Sequence, residues 1–192
     1  MNLRAATIVL VLVLVDATAG PAQVKNYKAP GSLESTRDLE CVASARLDSK
    51  YTPADLYAAM GRCVQQNRYD PAVFLYALAG VYGRYDTLRV ADKTAHQAIA
   101  VLQMQTAAVF SPTKEAAFKK ALQATLGSPD GLATTCKEIV RIGPPGYHPR
   151  YMIQHGMGAF RADGPAADLV EGFDAPAAWK RSLDTYLHCP GL

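Results

Sequence analysis

The sequence predicts an all-α fold, an irregular antiparallel bundle of about seven to eight helices stapled by disulfides. Three observations lead there. Apolar residues recur at i, i+3, i+4 and i+7 along most of the chain, and alternation with period two is nowhere sustained. Helix-start signals stand ahead of several of these stripes: Thr52-Pro53-Ala54-Asp55, Asp70-Pro71, Ser111-Pro112 and the looser Asp174-Ala175-Pro176. Each sets a capping oxygen beside a proline, which suits a first turn whose N–H groups have no partner in the helix. The four cysteines, Cys41, Cys63, Cys136 and Cys189, form an even set with no Cys-x-x-Cys pair, the pattern of two disulfides in an exported chain.

The elements follow in order. Arg4, the apolar run Ile8 to Val15 and the small-x-small triplet Ala17-Thr18-Ala19 read as a secretory signal peptide over residues 1–19, cleaved after Ala19. The run is shorter than the ~20 residues of a membrane-spanning helix, so the mature protein is expected outside the cytoplasm and free of stable membrane insertion. Residues 20–34, with Pro21, Pro30 and Gly31, read as an extended leader, and 35–192 as one helical domain. A first helix is expected to open near Ser35 or Thr36, with Leu39, Val42, Ala43 and Leu47 as its stripe. The second carries Leu56, Ala59, Met60, Cys63 and Val64, and the third Phe74, Ala77, Leu78, Val81, Tyr82 and Tyr85. A longer fourth runs through Leu88, Ala91, Ala95, Ile99, Leu102, Thr106 and Val109. Phe118, Ala121, Leu122 and Thr125 mark the fifth; Leu132, Cys136, Ile139 and Val140 the sixth; Trp179, Leu183, Tyr186 and Leu187 the last. Gly127 and Gly143 each follow a stripe as stop signals.

Short links between successive helices imply antiparallel hairpins. The starts keep no fixed 34-residue period, so a tetratricopeptide-type array is not indicated. Four cysteines allow three pairings; the hairpin layout favours Cys41–Cys63 and Cys136–Cys189, the second tying the last helix to the sixth.

A net charge of +3, with basic residues scattered, gives no footprint for nucleic acid. Gly-x-Ser-x-Gly and His-Glu-x-x-His are both missing, and no cofactor is indicated. Arg89, Asp92, Lys93 and His96 would share one face of the fourth helix, with Asp92 able to orient His96 for base or metal chemistry; a solvated face of ion pairs is the plainer reading. The Pro/Gly turn Gly143 to Gly146 presents Tyr147, His148, Arg150 and Tyr151, with His155 one turn on. Aromatic rings and Arg on a stiff loop suit recognition of a partner, and the alternative is that the Tyr rings pack inward. Asp163, Asp168, Glu171 and Asp174 make the loop from Arg161 to Asp174 acidic and solvent-facing.

Tyr-Thr-Pro-Ala-Asp-Leu-Tyr (51–57), Asp-Lys-Thr-Ala-His-Gln-Ala (92–98) and Pro-Arg-Tyr-Met-Ile-Gln-His-Gly (149–156) resemble segments of small exported helical proteins of Gram-negative bacteria. Some of these are similar to immunity proteins encoded beside type VI secretion effectors. The resemblance implies a periplasmic inhibitor that binds a toxic effector and blocks its active site. The expected contact residues are Tyr147, His148, Arg150, Tyr151 and His155, joined by Arg89, Asp92 and His96. Two other classes compete: a small hydrolase or metal-dependent enzyme using His96 with His155 or His148, and a helical adaptor or chaperone.

Overall fold

The computed structural model describes residues 27–161 and 167–191. The signal peptide, residues 20–26 of the leader and Asp163 of the acidic loop therefore lie outside the described residues. Among those described, seven α-helices and four short helical turns account for the regular structure. The β pairing seen is one isolated antiparallel bridge, Val90 to Leu169.

The first helix, α1 (Pro53–Gln65), begins where Thr52 and Asp55 form a reciprocal cap. The Asp55 amide donates to Thr52 Oγ1 at 3.2 Å, and the Thr52 amide donates to an Asp55 oxygen at 2.8 Å. After the three-residue link Gln66 to Arg68 the chain reverses into α2 (Tyr69–Arg89). Asn67 takes a left-handed conformation in that link, at φ 58°. The helix starts at Tyr69, one residue before Asp70, and no side chain caps it.

The centre of the molecule is α2. It packs against α1, α4 (Pro112–Leu126), α5 (Pro129–Ile142) and α7 (Ala175–Ser182). Its residues are buried on nearly every side, Leu75, Leu78, Val81 and Tyr82 completely. Each such aliphatic side chain contributes about 1.5–3 kcal/mol by leaving water. Gly80 and Gly83 admit close neighbours: a Cβ on Gly80 would lie 2.0 Å from Tyr186 Cζ, and one on Gly83 2.5 Å from Ile99 Cδ1.

Two expected helices differ. Residues 35–43 are not helical, and only a 3-10 turn, Ser44–Arg46, forms in that region. Long-range partners take the backbone there. Asp55, fully buried, accepts from Ser35 Oγ at 2.7 Å, Thr36 N at 2.6 Å and Arg37 N at 2.9 Å. Arg62 and Arg68 donate to the Leu39 and Cys41 carbonyls, each at 2.8 Å. The apolar residues still face inward, with Leu39, Val42 and Leu47 buried. The expected fourth helix is also divided. Its first residues, Leu88 and Arg89, complete α2; the chain breaks at Val90, and the 3-10 turn Lys93–Gln97 leads into α3 (Ala98–Ala107).

The helix starts at Ser111 and Asp174 hold: Ser111 accepts from Lys114 N, and Asp174 from Ala177 N. Two residues after Gly127, Pro129 opens α5 with Ser128 as its cap. The leader's end belongs to the packed body. Ala29 and Ser32 are buried, and the Leu33 amide donates to the Tyr151 carbonyl at 3.0 Å.

Both disulfides are present as the hairpin layout favours, Cys41–Cys63 and Cys136–Cys189. Cys41 meets α1 from the non-helical segment. Cys189 follows a π-helical turn, Leu183–Leu187, and ties the chain's end to α5. No described helix is long and apolar enough to cross a membrane.

Candidate protein-binding surface

The residues first expected to meet a partner divide into an internal group and an external one. Asp86 on α2 is fully buried and is the hub of the internal group. Its Oδ1 accepts from Arg89 Nε at 2.8 Å; its Oδ2 accepts from the hydroxyls of Tyr147 at 3.0 Å and Tyr151 at 2.7 Å. Burial pushes the Asp86 carboxyl above the usual carboxylate range, opposed by the Arg89 charge and the two tyrosine hydrogen bonds. Arg89 Nη2 lies 2.8 Å from Asp86 Oδ1 but has no well-aligned acceptor. The guanidinium rests against the rings of Tyr85 and Tyr147, 5.1 Å from each centroid.

Tyr147 and Tyr151 thus turn inward and lock the turn before α6 (Arg150–Ile153) onto α2. Tyr151 and Arg89, at 1% and 8% exposure, have no face to offer a partner. Nor do Arg89, Asp92 and His96 share a helix face, because the helix ends between Arg89 and Asp92.

Asp92 is a structural cap. It accepts from Thr94 N, Thr94 Oγ1 and Gly158 N, and these bonds hold its carboxyl below the usual range despite partial burial. The histidines are engaged separately: His96 Nε2 with the Val90 carbonyl at 3.0 Å, His155 Nδ1 with Ser32 Oγ at 3.3 Å, His148 Nε2 with Asp168 at 3.4 Å. Desolvation lowers the His155 pKa. Among the described residues, no three His, Cys, Asp or Glu side chains come together as a metal site. His148 and Arg150 remain exposed.

The strongest surface feature lies around α3, where Val109 of the expected inner stripe faces solvent. From Ala98 to Phe110 the chain reads Ala-Ile-Ala-Val-Leu-Gln-Met-Gln-Thr-Ala-Ala-Val-Phe, without an ionisable side chain. Only Ala98 and Leu102 of α3 are buried. Met104 is 62% exposed, and Val109, expected on the inner stripe, is 67% exposed. Ala100, Ala107 and Ala108 are exposed as well.

The helix stands between two grooves. One, of about 520 Å³, runs between α3 and α1 and is lined by Leu33, Ala58, Gly61, Leu102, Thr106 and Val109, among others. The other, of about 400 Å³, lies between α3 and α4, with Met60, Tyr76, Met104, Phe110, Phe118 and Leu122 on its walls. The charges that border the grooves are already satisfied within the chain. Arg62 pairs with Asp38 and Glu40, and Lys119 with Glu115. Lys114 donates to the Val64 and Gln65 carbonyls at the end of α1. The result is a neutral, largely apolar face in a chain of net charge +3.

No protein-family model, curated protein or solved structure matches this chain.

Proposed function

We propose that this chain is an exported protein-binding module that acts by occupying another protein, and that its partner is a toxic bacterial effector which it neutralises in the periplasm. The observation that carries the binding role is the uncharged α3 face, where Met104 and Val109 stand in solvent between two grooves. Large apolar side chains gathered on a surface mark interaction sites. Helices beside grooves are a common way of seating a partner's side chains. The Cys41–Cys63 bridge anchors α1, a wall of one groove, and a fixed wall lowers the ordering cost of association. The effector as partner rests on the resemblance to exported immunity-like proteins, and the disulfides are compatible with an oxidising compartment.

The contact surface moves accordingly. His148 and Arg150 stay exposed, whereas Tyr151 and Arg89 serve the fold. The alternative, catalysis by His96 with His155 or His148, is less favoured because the three histidines bond to separate partners, Val90, Ser32 and Asp168.

Coexpression with the exported product of the adjacent gene tests the proposal. The expected result is a stable complex of fixed stoichiometry and restored growth where that product alone is toxic. A toxic neighbour that this chain neither binds nor neutralises would contradict it.

A further inference from the structure

The groove between α3 and α4 has a polar floor beneath apolar walls. Gln103 Nε2 donates to the Tyr57 hydroxyl at 2.8 Å. The hydroxyls of Tyr57, Tyr76 and Tyr186 and the Gln103 amide gather in one polar group. A carboxamide offers two donors and an oxygen acceptor. The Gln103 nitrogen is taken by Tyr57, and no hydrogen bond among the described residues is donated to its oxygen. Gln103 also lines the open groove. Above it stand Met60, Met104, Phe110 and Phe118, thioethers and aromatic rings that favour the edges and faces of another ring. The two charges at the rim, Glu115 and Lys119, pair with each other, so the groove carries no net charge.

We infer that this groove receives an uncharged aromatic side chain bearing one hydrogen-bond donor, a tyrosine or tryptophan presented by the protein partner, with its O–H or N–H donating to the Gln103 amide oxygen. The assignment rests on the protein-binding role proposed above and names the anchor that role would use. At about 400 Å³ the groove has the size of a small-ligand site and can hold such a ring. Tyr and Trp are also the residues that most often dominate protein interfaces.

The test uses p-cresol and indole as probes, toluene as the donor-free control, and the peptide acetyl-Ala-Tyr-Ala-amide, each titrated against the oxidised protein by amide NMR. The expected result is saturable shifts around Gln103 and Phe118, with p-cresol and indole about fivefold tighter than toluene, the worth of one neutral hydrogen bond. Gln103→Met should bring that ratio near one. Ala107→Trp, on the exposed rim, should block all probes while leaving the melting temperature nearly unchanged. Equal affinity for toluene and p-cresol, shifts elsewhere, or exclusion of the peptide would overturn the inference. Probe binding without any complex with the adjacent gene product would overturn the proposed function and leave the groove's chemistry standing. A complex formed by a chain that binds no probe would do the reverse.

Discussion

Asp86 has four neighbours that settle what its charge does: Arg89 beside it, the Tyr147 and Tyr151 hydroxyls above it, and the Tyr85 ring flanking the guanidinium. A carboxylate taken wholly out of water is tolerable only with such partners. Arg89→Met is expected to lower stability by about 3–5 kcal/mol, since it strands a buried charge. Tyr147→Phe should cost only about 1–3 kcal/mol, for one lost donor. Urea unfolding of both variants checks the order. Two other residues make stability depend on pH in separate windows. Folding favours neutral His155, so below about pH 6.5 the unfolded chain takes up the proton first and stability declines until the folded imidazole also protonates. Asp92, its carboxyl depressed by its hydrogen bonds, contributes stability above its unfolded value near 3.8 and loses it as the pH falls through its folded value. Between pH 7 and 5, His155→Gln should therefore unfold with a shallower pH dependence than the parent chain; an unchanged slope would contradict this.

Among the elements, α2 depends on a glycine in its interior. Gly80→Ala would ordinarily gain up to about 1 kcal/mol in helix propensity. Here the added methyl meets the Tyr186 ring. We expect a net loss of about 1–2 kcal/mol from overpacking, and a gain instead when Tyr186→Ala is present, a coupling that a double-mutant cycle measures. How far the elements were legible in the sequence depends on where their partners lie. Helix starts at Thr52, Ser111 and Asp174 were readable because cap and proline act within one turn. Residues 35–43 were not, because the groups that hold them extended, Asp55, Arg62 and Arg68, lie on or beyond α1. The break after Arg89 was hidden by an apolar stripe that continued in step through it. The inward turn of Tyr147 and Tyr151 depends on Asp86, more than 60 residues away. The α3 face left one trace, thirteen residues without a charge, and periodicity puts only Ile99, Leu102, Thr106 and Val109 of them on an inner stripe.

The whole molecule is a central helix wrapped by neighbours and closed at both ends by disulfides. In the chain-entropy view, bridges spanning 22 and 53 residues are worth about 3 and 4 kcal/mol. They fasten the segment before α1 and the chain's end, while α3 stands at the surface with its apolar residues uncovered. The central claim is that this face is where a partner sits. The most direct measurement compares the parent chain with the Met104→Glu, Val109→Glu double variant for binding to the adjacent gene product and for growth rescue. Both positions are exposed, so the variant should fold with a melting temperature close to the parent's. The account predicts binding weakened at least about a hundredfold, the effect of burying two charges at an interface centre, together with loss of rescue. Undiminished binding and rescue by the folded variant would contradict it.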